Sequence, residues 1–237
     1  MNSSRRPSEP VELAPAESAG TTVALDAMSA GRRAVVEFIK TAGEAGVNQI
    51  AVALGVTIGG VRQHLAALDE EGLIAHRDER AGRGRPRRWY CLTPAAETLW
   101  PKRYGQLANQ LLGFIEQAEP ALVEHAFESR GRDRAERARS RLRGRGFDQR
   151  VRELAKILHE DGYLADCEKV GDDGWRIVEH NCAILDVAIR YGAACSSELA
   201  FLREAMPDAE IERIRHKMAG DFVCAYSVRS SPAKSFA

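Results

Sequence analysis

The stretch that most constrains this chain runs from Asn48 to Gly72, where two short apolar helical repeats are separated by a tight turn. Ile50, Ala51 and Leu54 recur at the spacing of one helix face, and Gly55 follows where a left-handed residue ends a helix without steric penalty. Thr57 is placed as the N-cap of the next helix, which carries Val61, Leu65 and Leu68 and is closed by Gly72. Helix, tight turn, helix is the expected outcome.

The flanks extend the pattern. Upstream, Val35, Val36, Ile39 and Ala42 mark a helix from Arg32 to Ala42 that Gly43 to Gly46 breaks. Downstream, in LIAHRDERAGRGRPRRWYCLT, two extended runs flank a loop of glycine, proline and arginine, which predicts a β-hairpin with a basic tip. That order of elements is a winged helix-turn-helix, and it fills residues 31–93.

An α-helix fits the major groove, so the outward residues of the second helix of the pair are the candidate base readers. With Val61, Leu65 and Leu68 facing inward, the opposite face carries Gly59, Arg62 and Gln63, with Thr57 and Gly60 near its start. Arginine pairs bidentately with guanine and glutamine with adenine, which singles out Arg62 and Gln63. Gly59 and Gly60 cost roughly 1 kcal/mol each in helix propensity but let the backbone approach the groove. On the wing, Arg83, Arg85, Arg87 and Arg88 are placed to reach phosphates or a narrow minor groove.

Charge agrees with this division. The chain has 34 basic and 34 acidic residues, yet residues 31–93 hold ten basic against seven acidic and residues 151–237 hold eleven against fifteen. A basic front half joined to an acidic back half suggests a nucleic-acid module coupled to a second function. At 44% hydrophobic and 29% charged, the chain is neither wholly disordered nor collagenous, and 237 residues predict two compact units plus tails. No apolar run is long enough to span a bilayer and no hydrophobic stretch follows Arg5 and Arg6, so a cytoplasmic protein with no membrane partner is expected.

The expected fold class is α+β, with a disordered tail over residues 1–26, a winged helix-turn-helix over 27–95, dimerisation helices and an Arg-rich linker over 96–146, and a sensor domain over 147–230. Thr93 and Pro94 are placed to restart a helix. Leu107, Leu111, Phe114, Ile115, Ala118 and Leu122 then form a long apolar stripe, predicting one helix from about Pro101 to Ala126 that holds a homodimer. The arginines between Arg130 and Arg150 read as a solvated helix or linker, with a second phosphate-contacting surface as the other reading. Beyond Phe147 come a helix, a hairpin over YLADCEKV and WRIVEHN, two helices from Cys182 and Ser196, and two last strands, IERIRHKM and FVCAYSV.

Five cysteines argue against a disulfide framework and leave metal binding, redox chemistry or burial. Cys91 alternates with aromatic residues in a wing strand and reads as a packing residue. Cys182, Cys195 and Cys224 are separated by 12 and 28 intervening residues with no paired knuckles, so they converge only through tertiary folding, as iron–sulfur ligation permits and as plain structural burial does too. No histidine stands beside Cys195 by local spacing, which argues against a cysteine nucleophile and against an enzyme.

VEHNCAILDVA, CSSELAFL and DFVCAYSV, behind this winged helix, resemble the SufR-type iron–sulfur transcriptional regulators, a match spanning about residues 30–228. The resemblance implies a homodimeric repressor of cluster-assembly genes that binds an inverted-repeat operator in double-stranded DNA and senses iron and redox status through a four-iron four-sulfur (4Fe-4S) cluster. It assigns Cys182, Cys195 and Cys224 as ligands. His180, Cys167, Glu179 and Asp186 remain candidates for a fourth. Ala183 departs from the proline that relatives commonly carry after the first cysteine. A winged-helix regulator with a zinc, small-ligand or thiol redox sensor is the alternative.

Overall fold

In a computed structural model, residues 23–80, 86–171 and 174–231 are described, and they divide into two compact units meeting between residues 103 and 104. The first unit opens with a short helix α1 (Val23–Asp26) and continues through α2 (Ala30–Ala42), β1 (Glu44–Gly46), α3 (Val47–Leu54), α4 (Ile58–Glu70), β2 (Ile74–Glu79) and β3 (Arg87–Leu92). Its three strands are antiparallel in the order β1-β3-β2, the topology of a winged helix-turn-helix.

The tight turn forms as its residues dictate. Gly55 sits at φ 66°, and the Val56 N–H returns to the Ala51 carbonyl at 3.1 Å, satisfying an orphan carbonyl of α3. Val35, Val36 and Ile39 from α2, Ile50 from α3, and Val61, Leu65 and Leu68 from α4 meet in one dry core. That core also takes Leu25 from within the expected tail, and Ala96 and Leu99 from beyond the expected boundary.

Two local readings change here. β1 lies within the expected helix break and pairs with β3, Glu44 opposite Cys91 and Gly46 opposite Trp89. Residues Pro94–Leu99 form a 3-10 turn and not the start of a long helix, and the Thr93 hydroxyl donates to the Gly72 carbonyl at 2.7 Å instead of capping.

The second unit contains α5 (Tyr104–Ala118), α6 (Pro120–Leu142), α7 (Phe147–Leu158), β4 (Ala165–Val170), β5 (Gly174–Glu179), α8 (Leu185–Ala188), α9 (Gly192–Ala205), β6 (Ala209–Arg215) and β7 (Cys224–Ser230). The single helix expected over 101–126 is two. Pro120 forces Glu119 out of helical geometry, to φ −156°, and itself starts α6. The Arg-rich run is the body of α6, whose buried face is Val123, Phe127, Gly131, Ala135, Ala138 and Leu142.

The sheet is antiparallel with order β4-β5-β7-β6, so β5 and β7 are central. One face packs on α6, α7 and α9 through Leu154, Leu158, Trp175, Ile177, Phe201, Leu202, Tyr226 and Val228. A smaller cluster joins Val123 and Phe127 to Ala188, Tyr191 and Ala194, with Cys182 and Cys195 at its margin. Of the two helices expected from Cys182 and Ser196, the first shrinks to the four residues of α8, and the second starts earlier, at Gly192. Among the described residues no single helix is long and apolar enough to cross a membrane.

Candidate functional site

In the first unit the candidate site is the outer face of α4. The Thr57 hydroxyl accepts the Gly60 N–H at 3.1 Å, which fixes the start of the helix. With Val61, Leu65 and Leu68 buried, Arg62 and Gln63 stand exposed on the opposite side. Nothing in the fold demands glycine beside them: a Cβ at Gly59 would meet no atom nearer than 4.0 Å, and one at Gly60 only the Thr57 hydroxyl at 3.4 Å. The missing side chains leave backbone open on the same surface.

The wing is partly committed already. Arg88 forms a two-pronged pair with Asp78, at 2.9 and 3.2 Å, and Arg77 forms another with Glu44, at 3.0 and 2.7 Å. A phosphate drawing on Arg88 therefore competes with Asp78, whereas Arg87 is exposed with no ion pair among the described residues. Arg83 and Arg85 lie outside the described residues. Cys91, expected to pack, is exposed on β3.

In the second unit three thiols come from three elements. Cys182 follows β5 in the bend before α8, Cys195 is in the first turn of α9, and Cys224 is the first residue of β7. All are half-buried, and burial pushes each thiol pKa up. Their charges act on one another: ionising Cys195 is further opposed by Cys182 and Cys224, and ionising Cys224 by Glu179 and Cys182. Backbone N–H groups aim at two of the sulfurs, Lys217 at Cys224 Sγ at 3.5 Å and Ile184 at Cys182. The Arg213 guanidinium donates to the Cys195 carbonyl.

Around the thiols lies an ionic network that hydrophobic patterning does not reveal. Arg134 of α6, 6% exposed, donates to Glu198 Oε2 at 2.6 Å and to Asp161 Oδ2 at 2.8 Å. Tyr163 donates to the same Glu198 oxygen at 3.0 Å, and Tyr226 to Glu179 Oε2 at 3.3 Å. The second carboxylate oxygens, Glu179 Oε1 and Glu198 Oε1, are buried with no hydrogen-bond partner. Burial, and then the Glu198 charge, push the Glu179 pKa up to about 8. The readable signal was spacing: Glu198 stands three residues after Cys195 and Glu179 three before Cys182, each one turn or one strand-step from a thiol.

The fourth-ligand candidates separate in space. His180 is exposed, its Nε2 2.9 Å from Asp166 Oδ2. Cys167 lies on β4 opposite Ile177, packs on the main core, and has Arg152 and Asp166 as its charged neighbours. Asp186 is exposed on α8, against Gly105 of α5. Glu179 alone among the four is buried and acts electrostatically on Cys182 and Cys224. Among the described residues no three His, Cys, Asp or Glu side chains stand close enough to share one metal ion.

Two other arginines of α6 are ion-paired as well. Arg139 pairs with Glu204, and Arg141 with Glu153 and Glu160. Arg130, Arg134, Arg137 and Arg141 line a cleft of about 430 Å³ with Ile157 and Asp161. The segment is thus a helix with one arginine turned inward and two more ion-paired at its C-terminal end.

No family model matches the chain, and no curated protein does. Among solved structures, Bacillus subtilis PadR in complex with operator DNA is similar at 14% identity and a TM-score of 0.28, covering 56% of this chain and 91% of that one. A likeness at that level has no bearing on function.

Proposed function

We propose that this chain is a homodimeric, DNA-binding transcriptional repressor of iron–sulfur cluster assembly genes, reading an inverted-repeat operator through α4 and its wing and holding a 4Fe-4S cluster on Cys182, Cys195 and Cys224. No catalytic step is assigned to it. The DNA-binding half is supported by the capped, glycine-opened face of α4, where Arg62 and Gln63 are presented on a rigid apolar base.

The sensing half is carried by one observation, the gathering of three thiols distant in sequence at the junction of β5, α9 and β7. Three thiolates with no paired knuckle are a donor set that an iron–sulfur cluster takes. When bound, such a cluster supplies an iron- and oxidant-sensitive tie among those elements. The N–H groups of Lys217 and Ile184 are placed to stabilise negative charge on two of the sulfurs.

The dimer reading rests on α5, which buries only Gly113 and leaves Leu107, Leu111 and Phe114 at 52%, 52% and 66% exposure. A second copy of the same stripe covers such a face isologously, and an inverted-repeat operator asks of that dimer two recognition helices roughly 34–36 Å apart.

Anaerobic purification with an absorption spectrum and iron and sulfide assays tests the reading. Visible charge-transfer bands should vanish in Cys182→Ser, Cys195→Ser and Cys224→Ser and persist in Cys91→Ser, with operator affinity measured in parallel. A colourless protein with stoichiometric zinc would defeat it. If colour is lost while operator affinity stays constant, the cluster is not the switch.

A further inference from the structure

We propose that Glu179 is the oxygen ligand that completes the donor set of the thiol site, binding the one iron that Cys182, Cys195 and Cys224 leave without a sulfur. The proposal rests on the reading of that site as an iron–sulfur centre.

Placement is the first argument. Side chains alternate along β5, so Trp175, Ile177 and Glu179 turn into the domain while His180 turns out to solvent. Glu179 is the last residue of β5, directly across the ladder from Cys224, the first of β7, and three residues before Cys182. A side chain in that position is within reach of the space that two of the three thiols face.

The second argument is that this carboxylate has no other employment. Glu198, the other buried acid, is held by Arg134 and Tyr163. Glu179 is 4% exposed, receives one long hydrogen bond from Tyr226, forms no ion pair among the described residues, and leaves Oε1 with no partner. Arg134 and Arg213 act on Glu179 through their charge but donate no hydrogen bond to it among the described residues, and natural cores retain a buried acid when a directly bonded group or metal completes it. Iron takes the orphaned oxygen. The other candidates lack this combination: His180 and Asp186 are exposed, and Cys167 has no electrostatic contact with the three thiols.

A carboxylate on one iron makes that iron chemically distinct from its three neighbours and the most easily removed. The full chain is reconstituted anaerobically with ferrous iron and sulfide, as parent, Glu179→Gln and Glu179→Cys. Iron and sulfide content, Mössbauer spectra and the rate of iron release to a chelator are then recorded. Glu179→Gln keeps the size of the side chain and a partner for Tyr226, and a circular-dichroism melt checks its fold.

In the parent, one iron in four should give a separate Mössbauer signal. Glu179→Gln should lose that iron to the chelator about tenfold faster or more, ending as a three-iron form. Glu179→Cys should retain four irons and release them more slowly than the parent. If Glu179→Gln holds four irons with the parent's spectrum and release rate, the ligand proposal is overturned and the cluster reading stands. If the parent takes up no iron and sulfide at all, the cluster reading fails and Glu179 falls with it.

Discussion

The cores of the two units are built on different terms. In residues 23–103 the buried set is wholly apolar, and the ion pairs, such as Arg77 with Glu44 and Arg88 with Asp78, sit at the surface, where each contributes roughly 0–1 kcal/mol. In residues 104–231 the core also encloses Arg134, Glu179, Ser197 and Glu198. On the reading proposed above, a core that only has to hold a helix against DNA needs no buried charge. A core that carries a site accepts ionic groups whose desolvation a better-packed apolar set would avoid.

The largest expected effect that would sharpen this contrast is at Arg134. Replacing it with alanine strands the Glu198 carboxylate and should destabilise the second unit by about 3–5 kcal/mol, read from urea unfolding followed at Trp175. Arg134→Met with Glu198→Leu should recover most of that loss. If the double variant is as unstable as the single one, the arginine acts through packing and the contrast fails.

The next effect is on pH. In the metal-free chain Glu179 titrates near 8 when folded and near 4.5 when unfolded. Below the lower value both states are protonated and nothing changes. Between the two the unfolded chain releases a proton that the folded one keeps, so stability should fall as pH rises, by at most about 1.4 kcal/mol per unit, and level off above 8. Glu179→Gln should flatten this slope, and a urea midpoint compared at mildly acidic and mildly alkaline pH reads it. An unchanged slope would mean that other groups set it.

The smallest effect is in the first unit and has the opposite sign. Gly59→Ala fits the fold, so it should raise stability by roughly 0.5–1 kcal/mol while weakening operator binding. A gain in stability with unaltered binding would show that the bare backbone of α4 does not meet DNA.

The legible parts of the sequence were those whose pattern is local. Gly55 and Thr57 fixed the tight turn, and extended runs on either side of a turn-forming stretch marked the wing and the hairpin of β4 and β5. β1 escaped because three residues cannot show a period; Glu44 to Gly46 are a strand only because β3 lies beside them. The break at Pro120 was readable and was overrun by the apolar stripe that continues through Leu122. In α6 the inward face is made largely of Gly131, Ala135 and Ala138 between arginines, so its weak apolar signal looked like a linker. Of the groups around the three thiols, Glu179 stood among the sequence candidates by its nearness to Cys182, but its burial and the whole of Glu198 and Arg134 did not show, because a charged residue in sequence carries no mark of burial.

One rung of the second sheet has a consequence for dynamics. Glu179 and Cys224 face each other where the two central strands end and begin, so whatever ties them also closes the ladder at that end. When the tie is released, fraying starts in the middle of the sheet and not at its edges. The amides of Val178, Ala225 and Tyr226 should then exchange with solvent deuterium ahead of those on β4 and β6, giving a backbone readout of the site's state without any metal measurement.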